Sequence, residues 1–118
     1  MASAIARLRH LQIAPRKVRL VADLIRGKTV AEARDILAFT PKTCRLALTK
    51  LLASVVANAE SAATERHQTI DADEMVIRAI QVNQGRMRAK YRAAARGRSV
   101  RIRSRSSHVD IVISDQPE

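Results

Sequence analysis

Between Met75 and Val109 the chain carries ten arginines and lysines and no acidic residue. The formal net charge of the whole chain is +11, yet the other 83 residues hold 12 basic against 11 acidic side chains. Cations gathered into one stretch repel one another unless a polyanion is present. From Gln84 to Arg98 the only sizeable apolar groups are Met87 and Tyr91. Such a stretch has almost nothing to bury, and as a two-stranded ribbon it is marginal in water. The core must therefore come from the rest of the chain, and the basic stretch needs an external support. Nucleic acid is the partner whose chemistry provides one, with an anionic membrane as the main competitor.

The 118 residues suit one domain with a modest core. Its apolar content is alanine, leucine, isoleucine and valine, with Phe39 and Tyr91 the only aromatics. Stacking of bases on aromatic rings is thus nearly closed to it. The single cysteine, Cys44, cannot form an internal disulfide. No apolar run reaches the length that spans a bilayer, and the N-terminus lacks the apolar centre of a secretory signal. These features predict a soluble protein in a reducing compartment.

Charge divides the chain into blocks of +6 over residues 1–28, −2 over 29–74, +10 over 75–109 and −3 over 110–118. The near-neutral middle has helical periodicity. Pro15 suits a first helical turn, and Val18, Val21, Ala22 and Ile25 recur at helical spacing until Gly27 offers a left-handed stop. Thr29-Val30-Ala31-Glu32 is a capping box for a second helix with Val30, Ala33 and Leu37 on its apolar line. Thr40-Pro41 predicts the start of a third helix. Cys44, Ala47, Leu48, Leu51, Leu52, Val55 and Ala59 keep its period to about Ala63.

After a polar stretch from Thr64 to Glu74 the period falls to two. Met75 to Val82 predicts a strand, Ser99 to Ile113 a second, and Ile5 to Gln12 a weaker third. Val100 and Ile102 share one parity, whereas Val109, Ile111 and Ile113 occupy the other, which predicts a bulge or break near Ser106-Ser107. The strands from Met75 and Ser99 with their basic connection form a hairpin. From Val76 to a tip near Tyr91 it could extend roughly 50 Å at about 3.3 Å per residue. The expected division is a globular base of residues 1–83 and 99–118, with an extended basic arm at 84–98.

Pro15-Arg16-Lys17-Val18-Arg19-Leu20-Val21-Ala22-Asp23-Leu24-Ile25-Arg26-Gly27-Lys28, then Ala57-Asn58-Ala59-Glu60, then Gly97-Arg98 and Ser106-Ser107-His108 before a Val/Ile strand, closely resemble the large-subunit ribosomal proteins of the L twenty-two family. The match runs in order along nearly the whole chain. The resemblance implies an α+β fold with three helices on a small three-stranded antiparallel sheet and a long protruding β-hairpin. It also implies binding to large-subunit ribosomal RNA and contact with neighbouring large-subunit proteins, support of subunit assembly, and a cytoplasmic, ribosomal location. In the family the hairpin lines the nascent polypeptide's exit tunnel, and changes near its tip alter macrolide susceptibility. Here the tip is expected at Arg88, Ala89, Lys90, Tyr91 and Arg92, where many relatives read Met-Lys-Arg. The common Pro-Arg-Ala that follows is Ala93-Ala94-Ala95, and the usual serine before Pro15 is Ala14.

On this reading Arg86, Arg88, Lys90, Arg92, Arg96, Arg98, Arg101, Arg103 and Arg105 contact phosphates, mostly fixing position rather than reading bases. Eight of these nine are arginine, whose planar fork matches phosphate oxygens and sheds water more readily than an ammonium. Arg7, Arg9, Arg16, Lys17, Arg19 and Arg26 form a second patch on the base. A DNA-binding ribbon is the competing reading, for which only Tyr91 could act as an apolar wedge. Membrane binding lacks a broad apolar face. An enzyme finds no support, since there is no nucleophile motif and His10, His67, His108 and Cys44 lack ligand spacing. No metal, cofactor or small-molecule substrate is implied. Gly85 and Gly97 read as relaxing the backbone at the arm's neck.

Overall fold

A computed structural model describes residues 3–115. Pro15 opens helix α1 (Pro15–Ile25), where its missing N–H costs nothing, and Gly27 ends it at φ +79°. Thr29 and Glu32 form the expected capping box of α2 (Val30–Phe39): the Glu32 N–H donates to Thr29 Oγ1 at 3.3 Å and the Thr29 N–H to Glu32 Oε2 at 3.4 Å. Helix α3 (Arg45–Glu65) buries Leu48, Leu51, Leu52, Val55, Val56, Ala59 and Ala63. It does not begin at Thr40-Pro41. The Thr40 hydroxyl donates backward to the Ile36 carbonyl at 2.5 Å and so closes α2, and α3 starts only after the turn in which the Arg45 N–H donates to the Lys42 carbonyl.

The strands are β1 (Ser3–Leu11), β2 (Val76–Gln84), β3 (Arg88–Ala93), β4 (Ser99–Ser104) and β5 (Ser107–Ser114). An antiparallel sheet in the order β1-β5-β2 carries the three helices, giving the expected α+β architecture. Ile77, Ile80 and Val82 of β2 and Val109, Ile111 and Ile113 of β5 face the helices and merge with Val18, Leu37, Leu52 and Val55 into one core. Fully burying a Val, Leu or Ile side chain contributes about 1.5–3 kcal/mol, so this aliphatic set can hold the base without aromatics. Phe39, the one phenylalanine, is 87% exposed.

β2 is an edge strand, and α1 with its following link closes that edge. The Val30 N–H donates to the Met75 carbonyl at 2.9 Å and the Gly27 N–H to the Ile77 carbonyl at 3.1 Å. Farther along, Arg26 Nη2 donates to the Ile80 carbonyl at 2.9 Å, and Arg19 Nε and Nη2 donate to the Val82 carbonyl at 3.2 and 3.0 Å. Unpaired edge carbonyls invite another strand, so this closure removes an aggregation hazard as well as satisfying acceptors.

The hairpin is interrupted where parity demanded it. Pairing of β2 with β5 runs to Gln84↔Ser107, and pairing of β3 with β4 resumes at Arg88↔Ser104. The ascending side spends residues 85–87 at this neck and the descending side only 105–106, so the register advances by one. β4 therefore pairs within the same ribbon as β3, on the far side of the neck at Arg105-Ser106. The long axis is 68 Å against 27 and 21 Å for the others. The radius of gyration of 17.7 Å exceeds the roughly 13.5 Å of a compact chain of this length, as an arm extending clear of the base requires.

Ala14 caps α1 with extended backbone, φ −60° and ψ 138°, but without a side-chain hydrogen bond. Ala14→Ser supplies the missing acceptor in a conformation that already suits it, and should stabilise the protein by about 0.5–1 kcal/mol. Urea unfolding should show a higher midpoint with an unchanged slope; an unmoved midpoint contradicts the lost-cap reading.

Candidate nucleic-acid interface

Residues opposite one another in an antiparallel ribbon lie on the same face. Arg88, Lys90 and Arg92 of β3 therefore share a face with Val100 and Ile102 of β4, while Arg101 and Arg103 of β4 share the other with Ala89, Tyr91 and Ala93 of β3. Cations thus stand on both faces. From Arg86 to Arg105 every residue is exposed except Ala94, which is half-buried. Among the described residues none of the nine arm cations forms an ion pair. Cations two residues apart on a strand sit about 7 Å apart and repel by about 0.6 kcal/mol per pair in water. That repulsion is comparable to what one good cross-strand pair contributes, about 0.2–1 kcal/mol. The ribbon gains little by folding alone and much by meeting anions.

The turn lies at residues 94–98, not at Arg88-Ala89-Lys90-Tyr91-Arg92, which form the ascending strand. Arg96 at φ +61° and Gly97 at φ +72° supply the left-handed backbone a tight reversal needs, and the Ala94 N–H donates to the Arg98 carbonyl at 2.7 Å. Gly97 is thus a tip residue rather than a neck residue. Tyr91 is 72% exposed in mid-strand, so the tip has no apolar wedge.

At the neck the chains come close. The Gly85 N–H donates to the Ser106 carbonyl at 2.8 Å, Ser106 Oγ donates to the Arg86 carbonyl at 2.6 Å, and Ser107 Oγ donates to the Ile13 carbonyl at 2.5 Å. His10, at φ +59° in a bulge of β1, meets His108 edge to face with ring centres 5.0 Å apart, and its N–H donates to His108 Nδ1 at 3.1 Å. These two histidines lie far apart in sequence and together in space. Among the described residues no cluster of three or more possible metal ligands forms.

The base cations separate into two kinds. Arg7 and Arg9 each approach Asp110 at 3.9 Å, Arg26 pairs with Asp23, and Arg19 and Arg26 close the β2 edge. These four expected RNA contacts are at least partly committed inside the protein. Arg16 and Lys17 are exposed and unpaired among the described residues. They share a cavity with Arg105 and with Lys42, a residue the sequence pattern did not single out. A lone lysine in a near-neutral block gives no signal; only the turn before α3 brings it there. The Cys44 thiol lines the same cavity, and burial pushes its pKa up, which suits an inert packing role.

The family model described as Ribosomal protein L22p/L17e matches residues 6–114. A protein named large ribosomal subunit protein uL22 in Desulfitobacterium hafniense strain Y51 is 42% identical over 118 residues, covering 100% of this chain and 99% of the relative. The protein of the same name in Pediococcus pentosaceus is 42% identical over 116 residues, covering 98% of this chain and 94% of the relative.

The neck makes a sharp prediction. A Cβ on Gly85 would stand 2.6 Å from Ser106 Oγ and 3.1 Å from His108 Cε1. Gly85→Ala must therefore turn Ser106 away from the Arg86 carbonyl and shift His108, at a cost of about 1–3 kcal/mol. Chemical denaturation should show that loss; an unchanged midpoint means the neck is looser than its hydrogen bonds indicate.

Proposed function

The chain belongs to the ribosomal protein L22p/L17e family and is a structural constituent of the large ribosomal subunit, where, we propose, it clamps several segments of ribosomal RNA with its basic arm. It acts in the cytoplasmic ribosome and is not an enzyme. The observation that carries the RNA reading is the arm itself: nine uncommitted cations, five of them divided between the two faces of the ribbon and four at its neck and turn, with no residue from Arg86 to Arg105 fully buried. A ribbon charged on one face lies on a surface, whereas one charged on both fits between RNA segments. Arginine forks then neutralise phosphates on either side, and the energy of those contacts orders the ribbon. Joining distant RNA segments in this way supports assembly, and the mode of recognition is shape rather than sequence.

The same reading extends to the exit tunnel. The globular base stays near the subunit surface beside other large-subunit proteins, and the arm reaches inward to the nascent polypeptide. The deepest residues are then those of the turn, Ala94-Ala95-Arg96-Gly97, rather than Arg88 to Arg92. Small side chains at a turn leave room in a confined passage, and Arg96 carries the charge at its apex, with Arg98 closing the turn. The strand cations behind it face the RNA wall.

Affinity for large-subunit ribosomal RNA should fall steeply with salt. With nine phosphate contacts the slope of log K against log salt should lie between about −6 for single-stranded and about −8 for duplex geometry. A slope near −2 would mean that most of the arm's cations are not at phosphates.

A further inference from the structure

Four cations from three separate parts of the chain converge at the junction of base and arm. A cavity of about 520 Å³ opens beside the start of α1, with Arg16 and Lys17 from the first helical turn, Lys42 from the link before α3 and Arg105 from the neck around it, over Ile13 and Leu20. A second cavity continues from it, sharing Lys17 and Arg105 and reaching Ser104 on the arm. No carboxylate lines either cavity, and among the described residues none of the four side chains has an ion pair or hydrogen-bond partner. Like charges held around one depression repel, and apolar walls strengthen the field they create by lowering the local dielectric. The vacant cap at Ala14 leaves the positive end of the α1 dipole pointing the same way.

We propose that this cradle binds the phosphodiester backbone of one RNA strand passing between base and arm, and that this contact sets the arm's direction. The proposal rests on the RNA-clamping reading above and adds a defined site to it. The chemistry favours a backbone over a nucleotide: no aromatic lines the walls to hold a base, and the paired cavities let a strand enter at Lys42 and leave along Ser104. Arg105 gives the site its leverage. It is the last residue before the buried Ser106-Ser107 pair, so an anion held between Arg105 and Lys42 fastens the arm to the base across the neck, where pairing along the hairpin is interrupted.

The test uses the full chain titrated with protein-free large-subunit ribosomal RNA over a range of salt. Lys42→Gln should weaken binding about fivefold to tenfold and reduce the salt slope by about 0.7–0.9, the share of one phosphate contact. Arg66→Gln, which removes an equal charge from the far end of α3, should leave the slope unchanged. Lys42→Gln and Arg105→Gln together should cost less than the sum of their separate effects, because both hold the same strand segment. Equal effects of Lys42→Gln and Arg66→Gln, or strict additivity with Arg105→Gln, would overturn the cradle while leaving the arm's RNA binding intact. A wild-type protein without steep salt dependence overturns the RNA reading and the cradle with it. Saturation by inorganic phosphate alone below about 1 mM would reassign the site to a free anion.

Discussion

Burial stops at the neck, and the rest of the molecule's behaviour depends on that. The base holds an aliphatic core sealed between three helices and one sheet, whereas from Arg86 to Arg105 only Ala94 is even half-buried. A two-stranded ribbon without a covered face has no hydrophobic term to set against the entropy of ordering its backbone. Its like charges add a further cost. The arm therefore has no internal source of order to match that of the base.

The base solves the opposite problem. Its sheet ends in an edge strand, which is closed by two backbone donors, Gly27 in the link after α1 and Val30 at the start of α2, and by two guanidinium groups from α1 and its C-cap. Cations in this protein therefore do two jobs. Arg19 and Arg26 complete the fold by feeding carbonyls of β2, and Arg7 and Arg9 lean on Asp110. Those of the arm, with Arg16, Lys17 and Lys42, have no such partners among the described residues. The distinction is between charge the fold has already used and charge it leaves uncommitted.

Much of this was legible in the residues themselves. Pro15, Gly27 and the Thr29/Glu32 box bracket α1 and open α2, because caps are local chemistry. The parity change between Ile102 and Val109 located the interruption between β4 and β5, because a pleat allows only two faces. The turn was not legible, since alternating basic and small residues from Arg88 to Arg98 offer no apolar period to fix a register; pairing of Lys90 with Ile102 places it at 94–98. Nor could sequence separate Arg19 from Arg16. Both sit on the polar side of one helix, and only the position of β2 beneath it decides which guanidinium is consumed.

The central claim is that phosphate contacts, not internal packing, order the arm. Amide hydrogen exchange on the free protein and on the same protein within the large subunit measures this directly. Amides of β3 and β4 should exchange almost freely in the isolated chain while α3 and β5 stay protected, and should become protected in the subunit. Protection of β3 and β4 equal to that of β5 in RNA-free solution would contradict it.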